Sequence, residues 1–262
     1  MRYWTFLLFL GLISCSEQVE KRVGPDSLSY KTDTLLMGDQ LADGIHFQVE
    51  DLVILDSNEQ GLKVAGQIKE HLVQNNVNFD EEFQSYQSLF ESLKTERQTL
   101  SKGGYDNPAP WDLQQGIEVF VNENGLFGVH SFHSSYTGGA HSNYYRSSLL
   151  FRLSDGQELK LDSILSEGSL HQLNSLAEAK LRAQKGLDEK DPINTAGFWF
   201  KDSQFHLSEQ FTYQKEGLTL FYNPYEIGPY SMGMVEIFIP YVEIHEMIRP
   251  EYRFEIKIET NT

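Results

Sequence analysis

The single cysteine, Cys15, constrains the fold of this 262-residue chain more than any other residue. With one thiol, the chain can form no internal disulfide and no zinc site built on several cysteines. The fold must therefore be stabilised by packing and hydrogen bonds alone. The composition can supply that packing, because 17 Phe, 13 Tyr and 3 Trp residues carry much of the apolar area that a core buries.

The residues before Cys15 have the pattern of an export signal. Arg2 provides a positive charge, and an apolar run follows over residues 4–13. This run is shorter than the roughly 20 residues that a membrane-spanning helix needs. The tetrad Leu12-Ile13-Ser14-Cys15 resembles the lipobox of bacterial lipoproteins, in which the cysteine is acylated, palmitate being one such acyl group, and becomes the first residue after cleavage. The alternative is an ordinary signal peptide with an incidental cysteine.

The lipobox resemblance predicts both a location for the protein and a change in its net charge. Residues 1–14 would be a signal peptide, and Cys15 would carry the lipid that anchors the chain to a membrane in the cell envelope. Ser16 is not an acidic retention residue, which favours the outer membrane over the inner one. Removing residues 1–14 removes one positive charge, Arg2, so the net charge changes from −17 to −18. Polar residues 15–40, with Gly24-Pro25, predict a flexible tether.

The acidic balance excludes one class of partner. A chain with 38 acidic and 21 basic residues repels phosphate backbones, so we expect no nucleic-acid binding. The aromatic content equally argues against a disordered chain.

Hydrophobic periodicity predicts an α+β fold with antiparallel sheets and two main helices. The first main helix is expected over Asp80–Leu100, capped by Asn78, and the second over Ser169–Gln184, ended by Gly186. Residues Leu62–Leu72 are ambiguous between helix and irregular chain. A hairpin is expected around Glu123-Asn124-Gly125. Further strands are predicted at Ile45–Leu55, Tyr144–Leu153, Leu159–Leu161, Gln204–Tyr213, Leu218–Tyr222, Met234–Ile239 and Phe254–Ile258.

The first of two candidate functional segments is Tyr136-Thr137-Gly138-Gly139-Ala140-His141-Ser142-Asn143, between two predicted strands. Paired glycines permit positive φ and close approach of a ligand. His141 is either an acid/base or metal ligand in a pocket, or a side chain that ties down a tight turn, and the second interpretation is favoured. A zinc site from His130, His133 and His141 is weaker still, because residues 130 and 133 point to opposite faces of a strand. We predict no metal and no cofactor.

The second segment is Asn223-Pro224-Tyr225-Glu226-Ile227-Gly228-Pro229-Tyr230-Ser231-Met232-Gly233. Two prolines and two glycines predict a rigid loop that either presents aromatic surface to a sugar or a protein partner, or forms a buried aromatic corner. Both alternatives stay open. The chain contains no G-x-S-x-G, phosphate-loop or H-E-x-x-H signature, since His245-Glu246 is not followed by a second histidine at the required spacing.

Together the two segments, followed by Ile239-Pro240-Tyr241, resemble the extracytoplasmic domain of unknown function found in the anti-sigma factor RsiV and the deacetylase PdaC. The resemblance implies an RsiV-like C-terminal domain over residues 111–262 and a companion α+β region over residues 41–110. It implies ligand recognition outside the membrane, and for RsiV the ligand is lysozyme. The residues expected to line or frame that surface are Tyr136, Thr137, Gly138, Gly139, His141, Asn143, Tyr225, Glu226 and Tyr230.

The sequence thus predicts a non-enzymatic envelope lipoprotein that binds or senses a basic, lysozyme-like protein or a glycan such as peptidoglycan. A cell-wall enzyme using His141 and Glu226 is the first alternative, and a structural envelope protein is the second.

Overall fold

The structure is a computed structural model and describes residues 19–20, 26–38, 44–74, 83–103 and 109–255. The predicted signal peptide, Cys15 and the greater part of the predicted last strand, Phe254–Ile258, lie outside these ranges. Phe254 itself lies inside them and is not in a strand. Among the described residues, none of the helices combines the length and apolar character that a membrane span requires.

Seven strands form a single sheet in sequence order, with antiparallel neighbours everywhere except between the third and fourth strands, which are parallel. The strands are β1 (Val19–Glu20), β2 (Tyr30–Met37), β3 (Ile45–Ile54), β4 (Trp111–Glu123), β5 (Leu126–Tyr136), β6 (Asn143–Arg152) and β7 (Gln157–Glu158).

A second, antiparallel sheet has three strands in the order β10-β9-β8. These strands are β8 (Phe211–Gln214), β9 (Gly217–Tyr222) and β10 (Val235–Pro240). The helices are α1 (Glu59–Gln74), α2 (Tyr86–Lys102), α3 (Leu161–Ile164), α4 (Ser169–Lys185) and α5 (Tyr241–Ile244). Short 3-10 helices lie at Ile193–Ala196, Lys201–Ser203, Tyr230–Met232, His245–Met247 and Pro250–Tyr252. The predicted α+β class is confirmed.

The predicted helix over Ser169–Gln184 is confirmed, and the ambiguous segment before it in the chain is resolved as helix. Helix α4 ends at Gly186, whose φ of 65° is the left-handed conformation that glycine adopts readily. The ambiguous segment Leu62–Leu72 belongs to α1, where the Asn58 side chain accepts a hydrogen bond from the Gly61 N–H at 2.7 Å.

The predicted start of the other main helix is wrong. Helix α2 begins at Tyr86, and its N-cap is Ser85, with Ser88 completing a reciprocal capping box. Asn78 lies outside the described residues. Phe83 therefore precedes the helix but is still buried beside it.

The predicted flexible tether is also corrected, because its later part is strand β2. Tyr30 is buried and packs edge-on against Phe127, with ring centroids 5.9 Å apart. In addition, β3 pairs with β4 from Ile45 opposite Trp111 to Val49 opposite Gln115. The large sheet therefore continues across the boundary predicted between residues 110 and 111.

Two smaller strand predictions differ from the structure. The predicted strand Gln204–Tyr213 is a strand only from Phe211, because Ser208 and Gln210 use their side chains to bond the backbones of neighbouring strands. The short strand predicted at Leu159–Leu161 lies instead at Gln157–Glu158.

Two hydrophobic cores hold the sheets in place. One lies between helices α1 and α2 and the large sheet, and includes Phe47, Leu89 and Trp111. The other joins α4 and the small sheet to one end of β4, β5 and β6, and includes Leu126, Leu150 and Leu173. The small sheet thus leaves part of the large sheet uncovered.

Candidate functional site

The first candidate segment forms the connection between β5 and β6. Gly138 and Gly139 both have positive φ, 106° and 104°, as the paired glycines predicted. The Tyr136 hydroxyl donates to the Gly139 carbonyl at 3.3 Å. His141 is exposed, and its Nδ1 lies 3.0 Å from the Ser142 carbonyl, which makes Nδ1 the donor. Thr137 and Asn143 are exposed at the two ends of the loop.

The second candidate segment is fastened to β6 by one side chain. Asn223 accepts from the Arg146 N–H at 2.8 Å and donates to the Arg146 carbonyl at 2.9 Å. A turn follows, in which the Glu226 N–H donates to the Asn223 carbonyl at 3.1 Å. Pro224 and Tyr225 are its central residues, and Tyr225 has a φ of 70°. This is the pattern of a type II turn, whose third position favours glycine.

The two segments meet although they lie far apart in the sequence. The Tyr230 hydroxyl donates to the Ser142 carbonyl at 2.6 Å. The His141 ring stacks on the Tyr230 ring with centroids 3.8 Å apart and planes 15° apart. Tyr144 contacts Tyr230 edge-on at 5.8 Å, and Tyr225 lies 5.6 Å from it. We call His141, Tyr144, Tyr225 and Tyr230 the aromatic cluster.

The aromatic cluster is a surface feature. Tyr225 is 54% exposed and Tyr144 is 38% exposed. The buried aromatic corner that the sequence left open is therefore not what these rings form. His141 bonds the turn of its loop, which is the interpretation favoured from the sequence, and it also contributes a ring face to the surface.

Glu226 does not form an acid–base pair with His141. Its carboxylate accepts from the Asn223 N–H at 2.8 Å, which completes the turn. Partial burial raises the pKa of Glu226, and the Asn223 N–H opposes that rise. No hydrogen bond or ion pair joins Glu226 to His141 in the described ranges.

The histidines of β5 are divided between the two faces of the large sheet, as predicted. His130 packs against Phe120 and Phe221, with ring centroids 4.8 and 5.8 Å away. His133 is buried in the opposite face, and burial lowers the pKa of His130 to about 3 and that of His133 to about 4. Across the described part of the chain, no three or more of the His, Cys, Asp or Glu side chains are grouped to hold a metal.

A groove of about 400 Å³ lies beside the aromatic cluster on the uncovered face of the large sheet. We call it the sheet groove, and residues that line it include Glu50, Gly116, Phe132, Ser134, Tyr144 and Met234. Sequence reasoning missed the groove. The available signal was Gly116, a glycine inside an otherwise alternating strand.

One stretch of the chain matches a family of unknown function. Residues 162–242 match the family described as "Protein of unknown function (DUF3298)". The matched region contains the second candidate segment, but it begins after the first one, which lies at residues 136–143. No match was found among curated proteins.

Two solved structures share the fold. A DUF3298 family member from Bacteroides fragilis aligns with a TM-score of 0.65 and 22% identity, over 88% of this chain and 96% of its own. A DUF3298 family protein from Pseudomonas aeruginosa aligns with a TM-score of 0.63 and 18% identity, over 87% of this chain and 97% of its own. At these identities the likeness concerns the fold alone.

Proposed function

We propose that this chain is a lipid-anchored protein of the cell envelope that binds a protein or glycan ligand through the aromatic cluster and carries out no chemistry on it. The observation that supports binding is Tyr225. A non-glycine residue in a left-handed backbone is strained, and such strain is concentrated at functional sites. Because the ring is 54% exposed, burial does not offset the strain.

The rings suit two kinds of ligand. Flat aromatic faces pack against the apolar faces of sugars, and tyrosines are common at the centres of protein interfaces. The net charge of −17 favours a cationic protein, since a negative field raises the rate at which such a partner associates. A basic, lysozyme-like hydrolase has this chemistry, and the resemblance to the RsiV-type domain points the same way.

Calorimetry with lysozyme and with muropeptides, each at low and moderate salt, tests the proposal. We expect one of the two ligands to bind, and lysozyme binding to weaken as salt is raised. Tyr230→Ala should weaken binding, because Tyr230 contacts the other three rings. Phe238→Ala is the control, since Phe238 is 48% exposed and lies on β10. If neither ligand binds, the protein is better described as a structural component of the envelope.

The lipid anchor has its own test. Cys15→Ser should move the protein from the membrane fraction to the soluble fraction of the cell, because several acyl chains on one residue give stable anchoring. Ser16→Ala is a neighbouring substitution that keeps the thiol. Membrane retention of the Cys15→Ser protein would contradict lipidation at this residue.

A further inference from the structure

The floor of the sheet groove is low because of Gly116. Gly116 lies on β4 opposite Phe132 on β5, and Phe132 lies opposite Arg146 on β6. A Cβ built on Gly116 would meet only Glu50 Oε2 within 4 Å, at 3.4 Å. By contrast, a Cβ on Gly128 of β5 would meet the Phe120 ring at 2.4 Å.

This contrast separates two roles for strand glycines. Packing requires glycine at position 128, whereas neither packing nor a positive φ requires it at position 116. Glycine inside a strand is unfavourable, and one reason for its presence is the close approach of a ligand. Ser134, another small residue, is also in the lining.

The walls of the groove combine an acidic group with aromatic rings. Glu50 is exposed and makes no hydrogen bond or ion pair with any described residue. Phe132 and Tyr144 are each 38% exposed. A carboxylate beside ring faces is the environment that a lysine or arginine side chain prefers, since its charged end is paired and its stem is covered.

The positive charge of Arg146 does not cancel that preference. Its guanidinium forms an ion pair with Glu236 at 2.5 Å and lies 3.8 Å from the centroid of the Phe221 ring. Glu118 is a further exposed carboxylate on β4, two residues beyond Gly116. The remaining charge around the groove is negative.

We propose that the sheet groove receives a lysine or arginine side chain of a basic protein partner, with its charged end on Glu50 and its stem between Phe132 and Tyr144. Tyr144 also belongs to the aromatic cluster, so the groove and the cluster form one continuous surface. A neutral glycan would leave Glu50 without a counter-charge. The inference rests on the proposed function, because it specifies how a basic partner is held.

The first experiment uses N-acetyl-arginine amide as the probe in an NMR titration of the full chain. The Gly116 amide signal, assigned by its loss in Gly116→Ala, should shift and saturate. Glu50→Gln should weaken the apparent affinity about fivefold. Glu189→Gln makes the same charge change in an exposed residue after α4 and should leave the affinity unchanged. Equal weakening by both substitutions, or no saturable shift at Gly116, would overturn the inference.

The second experiment fills the groove without changing its charge. Gly116→Val introduces a residue that strands favour, so the unfolding midpoint should be unchanged or higher while probe binding is lost. Gly116→Ala is a milder variant should valine disturb the fold. Retention of probe binding by a folded Gly116→Val protein would contradict the proposal.

Lysozyme separates this inference from the proposed function. If wild-type protein binds lysozyme and the Glu50→Gln and Gly116→Val variants bind it equally well, the groove inference is wrong and the proposed function stands. If the wild type binds the arginine probe at Gly116 but not lysozyme, the groove inference stands and lysozyme is not the partner.

Discussion

Replacing Tyr225 with glycine and with alanine separates backbone strain from ring contacts. Tyr225 occupies the third position of the Asn223–Glu226 turn with a φ of 70°. Both substitutions remove the same ring and its 5.6 Å contact with Tyr230. They differ only in the backbone, because glycine adopts this φ without strain and alanine does not.

The difference between the two variants can be worked out from the turn. A left-handed backbone costs a non-glycine residue about 1–2 kcal/mol. Glycine removes that strain but loses about 0.5–1 kcal/mol more than alanine in conformational freedom on folding. Tyr225→Gly should therefore be more stable than Tyr225→Ala by about 0.75 kcal/mol, within a range of about 0–1.5 kcal/mol, which reverses the usual order. For a chain of this size, each kcal/mol shifts Tm by about 2–4 °C.

Thermal unfolding and calorimetry with lysozyme measure the two effects separately. The glycine variant should melt at the higher temperature, while both variants should lose affinity equally, by about tenfold for a central aromatic contact. Asn124 is the control, since it also has a positive φ, 57°, but lies in the β4–β5 turn. Asn124→Gly and Asn124→Ala should show the same stability order with unchanged affinity. A more stable alanine variant at position 225 would refute the strain argument, and unchanged affinity in both Tyr225 variants would refute a binding role for the ring.

Three further predictions concern stability. Burial lowers the pKa of His71 and of His133 from 6.5 to about 4, and it lowers the pKa of His130 from 6.5 to about 3. Between these pH values the unfolded chain takes up protons that the folded chain does not. The urea midpoint should therefore be constant above about pH 6.5 and fall as the pH is lowered from about 6.5 to 4. A urea midpoint that does not change with pH would contradict this prediction. Gly128→Ala should destabilise the fold by about 1–3 kcal/mol by overpacking against Phe120, whereas Gly116→Ala should not, as urea unfolding of the two variants would show. Ser85→Ala should cost about 1 kcal/mol through loss of the α2 cap, and an unchanged urea midpoint would mean that another residue caps the helix.

Local sequence patterns predicted the elements that local interactions define. The hairpin at Asn124-Gly125 and the helix that ends at Gly186 follow from turn chemistry and hydrophobic periodicity. Strand β2 could not be predicted this way, because only Tyr30 is fully buried and half of the strand is exposed. The strand is held by its pairing with β3, and no local sequence pattern predicts that pairing.

The start of α2 was misplaced for a different reason. Three acidic residues at positions 80–82 suit the first turn of a helix, and so they favoured an early start. Ser85 and Ser88 form a capping box that competes with that interpretation, and Phe83 is buried without being helical. Both signals were present in the sequence, and only the packing decided between them.

The candidate site likewise has parts that the local sequence predicted and parts that depend on contacts between distant residues. Glycines, prolines and tyrosines identified both loops, yet the hydrogen bond from Tyr230 to Ser142 joins residues 88 positions apart. The sheet groove depends on a longer chain of pairings, since Glu50 reaches Gly116 only because β3 and β4 are parallel neighbours. Such contacts follow from the assembled sheet and have no counterpart in the local sequence.

The way these loops are held determines how a ligand would bind. Asn223 fixes the second loop to β6 by two hydrogen bonds, and Tyr230 fixes it to the first loop by a hydrogen bond and a stacked ring. The groove beside them is built on four paired strands whose other face packs on a core. A surface ordered before binding loses little conformational freedom when a ligand arrives. The rings and the sheet groove therefore lie beside a sheet whose other face is packed on a core, which favours recognition by a preformed surface over folding around the ligand.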